Sequence, residues 1–246
     1  MILYKYVTSE GLEKILYENT VLFSNPGLFN DPFDCAATLT EDMNPAWSTK
    51  YTSAAITNSL KMNLHRNKCG VLCLTRNPLN TLMWAHYGNH HTGAVVGIDV
   101  DAAGFDDKTQ YTITARNGAV VYTSVRPSAL DTIIPSLVDS DTDKTTLEKM
   151  YLQKSIHWAY EEEVRVVKTI NPDFKIFSEL NEGKDREIVT IPPSAIKEVY
   201  FGCRYNHEAK PSIKTSTTEK NEFNREIKFF NCKIDNITWE VKASPR

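Results

Sequence analysis

The chain has 246 residues, 41% of them hydrophobic and 24% charged, which excludes collagen-like, coiled-coil and largely disordered chains and allows one substantial core. With 28 basic against 31 acidic residues the formal net charge is −3, so no global positive field favours nucleic acid. The start MILYKYVTSEGLEKIL has no secretory h-region, no run approaches membrane-spanning length, and five cysteines are an odd number without the spacing of a secreted scaffold; these features predict a cytoplasmic chain with reduced thiols and no membrane partner, read as a single domain over residues 1–246.

A strand at Ile2 to Val7 leads into a helix capped by Thr8 or Ser9, with Leu12, Ile15 and Leu16 at helical spacing. A second strand, Val21 to Ser24, precedes NPGLFNDPFD, whose Pro, Gly, Asn and Asp density predicts an irregular loop from Asn25 to Asp34 ordered by Leu28, Phe29 and Phe33. Apolar residues between Tyr51 and Leu64 suggest a helix in mixed phase, and Val71 to Thr75 a clearer strand. Cys69 and Cys73 share one face of that strand, where no second pair or nearby histidine completes a zinc set.

Asn80 to Tyr87 reads as a short helix closed by Gly88, and GAVVGIDV beyond it as a β-branched strand. Another strand is predicted at Val120 to Tyr122. A helical region follows from Pro127 to Trp158, broken near Pro135, and its last part sets Leu147, Tyr151, Lys154 and Trp158 on one stripe. The remaining strands fall at Val164 to Ile170, Glu187 to Ile191, Glu198 to Phe201, Ile227 to Phe230 and Ile237 to Val241, with a surface loop at Lys210 to Asn224. Strands interspersed with helices, without regular βαβ spacing, predict an α+β fold with a mixed or antiparallel sheet core and flanking helices. No GxGxxG or GxxxxGK[ST] occurs, so neither a Rossmann nor a P-loop nucleotide site is predicted.

Three segments carry candidate chemistry. In HWAYEEEVRVV, period-two alternation puts Glu161, Glu163 and Arg165 on one strand face and turns Val164 and Val166 into the core. Neighbouring carboxylates raise one another's pKa and the arginine opposes this, which gives a tunable acid or base; the same pattern also describes a solvated acidic face. FNDPFD holds Asn30, Asp31 and Asp34 between aromatic anchors, either as a rigid functional loop or as Asx-turns. MWAHYG gathers Trp84, His86 and Tyr87, able to stack a nucleobase or nicotinamide or to serve as core. His90 and His91 follow without a carboxylate at metal-ligand spacing, and no GxSxG elbow or nucleophilic cysteine context appears.

Read together, LYKY, LEKIL, FSNPGLFNDPFD, LMWAHYG, the G-x-x-x-G-I-D strand, HWAYEEEVR and IKEVYFG resemble the bacterial family catalogued as domain of unknown function 2971, over nearly the whole chain. A second resemblance is mechanistic. The Tyr-Lys-Tyr strand and following helix are similar to the first strand and helix of ADP-ribosyltransferases, including the DNA-modifying toxin branch, and Glu161-x-Glu163 to their late catalytic strand.

That second resemblance implies an NAD-consuming enzyme, a toxin or phage-defence effector, with NAD as substrate, a small-molecule nucleotide as partner and a macromolecular acceptor of unspecified class. Glu163, Glu161 and His86 would be catalytic. Lys5, Tyr6, Asn30, Asp31, Trp84, Tyr87 and Arg165 would bind the dinucleotide, with Lys5 standing where the family has histidine or arginine. Two rivals stay open: a metal-dependent nuclease or hydrolase with magnesium held by Asp31, Asp34, His86, Glu161 and Glu163, and a non-enzymatic ligand-sensing or protein-binding module.

Overall fold

The computed structural model describes residues 1–35, 60, 62–126, 142–175, 183–208 and 226–246. The first strand, β1 (Ile2–Val7), runs into α1 (Ser9–Glu13), whose N-cap Thr8 accepts from the Gly11 amide at 3.2 Å. The helix widens into a π-turn at Lys14–Glu18 and stops at Asn19, which is left-handed with φ 56°. Then come β2 (Thr20–Ser24), a 3-10 turn at Pro26–Leu28, helix α2 over residues 62–68, β3 (Cys69–Thr75), α3 (Thr81–His86) and β4 (Ala94–Asp99). After β5 (Val121–Thr123) follow α4 (Thr142–Leu152), β6 (Gln153–Ser155) and β7 (Glu163–Thr169). The last strands are β8 (Arg186–Thr190), β9 (Ile196–Phe201), β10 (Lys228–Ile234) and β11 (Val241–Pro245).

The fold is α+β. Among the described residues nine strands form one mixed sheet in the order β11-β10-β9-β4-β1-β3-β2-β8, with β7 on β3 as well; β9 and β10 are parallel and the other pairs of this sheet antiparallel. One local feature makes the site. β7 follows β3 from Cys69↔Thr169 to Thr75↔Glu163, whereas β1 meets β3 at Tyr4↔Thr75 and β2 meets it at Ser24↔Val71. Between those two pairs β1 and β2 diverge. In that gap the Cys73 carbonyl accepts from Lys5 Nζ at 3.0 Å instead of from a strand amide.

The main apolar cluster, with Leu12, Phe23, Leu72, Val96, Ile98, Val164, Val166 and Phe201, packs α1 against the sheet. A second joins Val71 and Val167 to Met150 and Tyr151 of α4, and a third holds Met83 and Trp84 of α3 against Tyr6, Val95 and Tyr200. Burying each such side chain contributes about 1.5–3 kcal/mol, so these clusters dominate the stability. Gly118 permits one close crossing: a Cβ there would lie 1.8 Å from the Arg165 carbonyl, while its own carbonyl accepts from Arg165 N at 2.8 Å.

Most predicted elements are present, and three differ. The helix predicted to reach Trp158 ends at Leu152, and Lys154 lies on β6, paired with Tyr122. The final strand is not Ile237 to Val241 but begins at Val241, because Asp235 Oδ1 accepts from the amides of Ile237 and Thr238 and folds that stretch into a turn. A one-turn 3-10 segment, Pro26–Leu28, sits inside the loop read as irregular. Most of the helix expected from Tyr51 to Leu64 and the loop at Lys210 to Asn224 lie outside the described residues. Among the described residues no helix is long and apolar enough to cross a membrane.

Candidate active site

A cavity of ≈ 380 Å³ opens where β1 and β2 part, walled by Lys5, Asn30, His86, Tyr87, Glu161 and Glu163 among others. Two backbone features aim the acidic segment into it. Residues Ile156–Glu161 form a 3-10 turn, and Glu162 then adopts φ 45°, a left-handed conformation that costs a non-glycine residue about 1 kcal/mol. Thr75 Oγ1 donates to the Glu161 carbonyl at 2.6 Å, Arg76 N to the Glu162 carbonyl at 3.3 Å, and Asn77 Nδ2 to Glu162 Oε1 at 3.3 Å. The expectation of one strand face is therefore corrected: β7 starts at Glu163, and Glu161 reaches the same place through the left-handed residue. From Glu163 onward alternation holds, with Val164 and Val166 in the main core and Glu163 and Arg165 on the opposite face.

Arg165 is 0% exposed and its guanidinium is fully used. Nε and Nη2 donate to the two oxygens of Glu163, both at 2.9 Å; Nη1 and Nη2 donate to Asp34 at 2.8 and 2.6 Å; Nη1 also donates to the Tyr151 carbonyl at 2.8 Å. Lys154 sits in front of it. Its Nζ donates to Glu161 Oε2, to Glu163 Oε2 at 3.1 Å, and lies 3.5 Å from Asp34 Oδ2, with the Trp158 ring 5.1 Å away. Three carboxylates thus share two cations. The unbalanced one is Glu161, the carboxylate Arg165 does not touch, and its Oε1 accepts from the Tyr87 hydroxyl at 2.7 Å. Asn30 Nδ2 approaches that hydroxyl at 3.4 Å.

This geometry drives the two glutamates apart. Burial alone would raise the Glu163 carboxyl, but Arg165 and then Lys154 outweigh it and hold it down at about 2. Burial raises Glu161 above the ordinary range, with Lys154 and Tyr87 pulling only part of the way back. For Lys154, burial works against the charge and Glu163, Glu161 and Asp34 prevail, so its pKa is raised. The Tyr87 phenol is pushed up by burial and by Glu161, which keeps it a donor. Burial likewise raises the thiols of Cys35 and Cys73, so neither is poised as a thiolate nucleophile.

Of the residues singled out in the sequence, Lys5, Tyr6, Asn30, His86, Tyr87, Glu161 and Glu163 line the cavity. Three do not, and their expected roles are corrected. Trp84 is fully buried, donates from Nε1 to the Pro78 carbonyl at 3.0 Å and packs edge-on against Tyr6, so it is core and not a stacking wall. Asp31 accepts from the Phe33 amide at 2.9 Å in an Asx-turn and lines a separate cavity of ≈ 200 Å³. Arg165 stands behind Glu163 without reaching the cavity.

Sequence reasoning gave no role to Lys154, Thr75, Asn77 or Asn80. The available signal was Lys154 itself, a lysine interrupting an apolar stripe between Tyr151 and Trp158. Asn80 bridges α3 to the 3-10 turn: Oδ1 caps the helix by accepting from the Leu82 and Met83 amides, and Nδ2 donates to the Tyr160 carbonyl at 2.9 Å.

Residues 83–166 match the model of a family described as "Protein of unknown function (DUF2971)", which bears out the resemblance over that stretch. The match runs from α3 into β7 and so contains His86, Tyr87, Lys154, Glu161, Glu163 and Arg165. Neither the curated proteins nor the solved structures yielded a match.

Proposed function

We propose that this cavity is the active centre of an NAD-consuming enzyme of the ADP-ribosyltransferase type, and that Glu161, not Glu163, is the carboxylate at the reacting ribose. The observation that carries the reading is the convergence, in one cavity, of Lys5 and Tyr6 from the first strand with Tyr87 and Glu161. Lys5 supports an anionic ligand: its ammonium donates to one carbonyl, and among the described residues no carboxylate pairs with it. A cation left in that state favours a phosphate-bearing ligand. Glu163, with both oxygens committed to Arg165 and one also to Lys154, braces the site.

The reaction breaks the C1′–N bond of NAD, and the electron pair leaves with the nicotinamide nitrogen and neutralises the pyridinium. An acceptor O–H or N–H supplies the pair for the new C1′ bond, and its proton passes to the Glu161 carboxylate. Negative charge at Glu161 also stabilises the oxocarbenium-like centre, which is the main electrostatic requirement of the step. A raised carboxyl is the better matched base. The enzyme would act in the cytoplasm, where its dinucleotide is supplied, as a toxin or phage-defence effector.

The magnesium-dependent rival has less support. Asp34, Glu161 and Glu163 do converge, but on Lys154 Nζ, which stands where a divalent ion would bind, and Asp31 is committed to its own turn. The test is nicotinamide release from NAD with and without a chelator. The reading predicts turnover that survives chelation and falls at least ~10²-fold in Glu161→Gln. Nucleic-acid cleavage restored by magnesium, with no nicotinamide released, would replace it with the hydrolase.

A further inference from the structure

We propose that Asn80 is a positioning residue of this site: one side-chain amide caps the helix that carries Tyr87 and at the same time holds the turn that carries Glu161, and so sets the geometry of the Tyr87–Glu161 hydrogen bond. The inference deepens the reading of the cavity as an active centre, but its main measurement does not depend on the reaction.

The bonds are divided between the two ends of the amide. Oδ1 accepts from Leu82 N at 2.9 Å and Met83 N at 3.1 Å, the usual N-cap arrangement at the start of α3. Nδ2 donates to the Tyr160 carbonyl at 2.9 Å, one residue before Glu161. The Asn80 backbone N–H donates to the Tyr6 hydroxyl at 3.2 Å, and that hydroxyl donates in turn to the Asn77 carbonyl at 3.1 Å. Asn80 therefore meets three of the elements that wall the cavity: β1 through Tyr6, α3 through the cap, and the acidic turn through Tyr160.

Six residues of helix do not hold themselves in water, so the direction of α3 depends on what fixes its ends. Its first turn is fixed by Asn80. Its last residue precedes Tyr87, whose hydroxyl reaches Glu161 Oε1 at 2.7 Å. The helix and the acidic turn are thus joined by two bonds, Asn80 to Tyr160 and Tyr87 to Glu161. Releasing the first lets the second lengthen, and near 3 Å a few tenths of an ångström decide whether a phenol still serves a carboxylate. Asparagine suits the position because its two ends differ: serine and aspartate cap as well but offer no N–H to the Tyr160 carbonyl.

The experiment compares Asn80→Ser, Asn80→Asp, Tyr87→Phe and the double variant Asn80→Ser/Tyr87→Phe with the wild type. Glu161 is followed by carbon-13 NMR in glutamate-labelled protein, its resonance assigned by its loss in Glu161→Gln. Because the Tyr87 bond favours the ionised carboxylate, its removal moves the Glu161 midpoint upward. The proposal expects Asn80→Ser to reproduce the midpoint of Tyr87→Phe, and the double variant to move it no further than either single one. Nicotinamide release should fall in Asn80→Ser on the order of tenfold, in kcat more than in KM. A wild-type Glu161 midpoint in a folded Asn80 variant, beside a shifted one in Tyr87→Phe, would overturn the assignment. So would the failure of both capping variants to fold, which would make Asn80 a residue of stability alone. Matching midpoints without nicotinamide release from any protein would support the positioning role and remove the transferase.

Discussion

Glu161 and Glu163 stand two residues apart and share one ammonium, yet they occupy opposite halves of the site. The inner half is saturated: Glu163 and Asp34 divide a buried guanidinium between them, and Lys154 completes the set. In the outer half Glu161 keeps Lys154 and Tyr87 and faces a cavity whose other cation, Lys5, is bound to a carbonyl. The contrast teaches that spacing along a strand does not assign chemistry. A buried carboxylate in a complete arginine fork is held ionised and immobile, which suits bracing; one with raised basicity at a cavity wall suits proton transfer.

The inner half depends most heavily on Arg165. Arg165→Met keeps length and apolar bulk but leaves Asp34 and Glu163 with one ammonium, and an uncompensated buried charge costs about 3–5 kcal/mol. A urea midpoint close to wild type would show that the inner half is not the brace described. Acid comes next. Glu163 titrates near 2 in the folded chain against 4.5 as its reference, so its stabilisation is complete above 4.5 and is lost as pH falls toward 2, on the order of 3 kcal/mol in all. Urea unfolding from pH 6 to pH 3 should show more than half of that loss in wild type and a flatter profile in Glu163→Gln.

Glu161 carries the opposite sign. Its raised carboxyl favours folding when protonated, and that contribution disappears as pH rises from 4.5 through the folded value. Glu161→Gln leaves Asp34 and Glu163 against Lys154 and Arg165, an even balance, so its melting temperature at neutral pH should equal or exceed that of wild type. A clear drop in melting temperature would put Glu161 in the brace. Tyr87→Phe removes one hydrogen bond to a charged group at the cavity wall and should cost about 1.5–3 kcal/mol in urea unfolding, less than the loss of the guanidinium.

Much of this was legible in the chain. The strand at Ile2 to Val7, the helix closed by Gly88 and the β-branched strand beyond it all follow from local pattern, and so does the inward turn of Val164 and Val166. The convergence of NDPFD, AHYG and EEEVR depends on the parting of β1 and β2 along β3, which no local pattern encodes. Trp84 looked like a ligand wall because aromatic content does not reveal which side of a short helix is covered. Its indole lies within the covered cluster, whereas Tyr87 packs at the edge of that cluster and turns its hydroxyl to the cavity, and His86 is exposed. Lys154 was hidden for a different reason: helical periodicity ran across the helix end at Leu152, so a lysine on a strand of a two-stranded sheet read as one more residue on a stripe. Asn80 was legible only as the start of a short helix, and its bond to the acidic turn needs Tyr160 beside it, with 80 positions between the two.

The separation of the two glutamates divides the site, and their carboxyl titrations measure it directly. Carbon-13 NMR of glutamate-labelled protein between pH 2 and pH 8, with Glu161→Gln and Glu163→Gln used to assign the two resonances, reads both in one sample. The predicted result is one midpoint near the acid limit, belonging to Glu163, and one above the ordinary carboxylate range, belonging to Glu161. Two midpoints that coincide, or the reverse order, would contradict the division of the site into a brace and a reacting carboxylate.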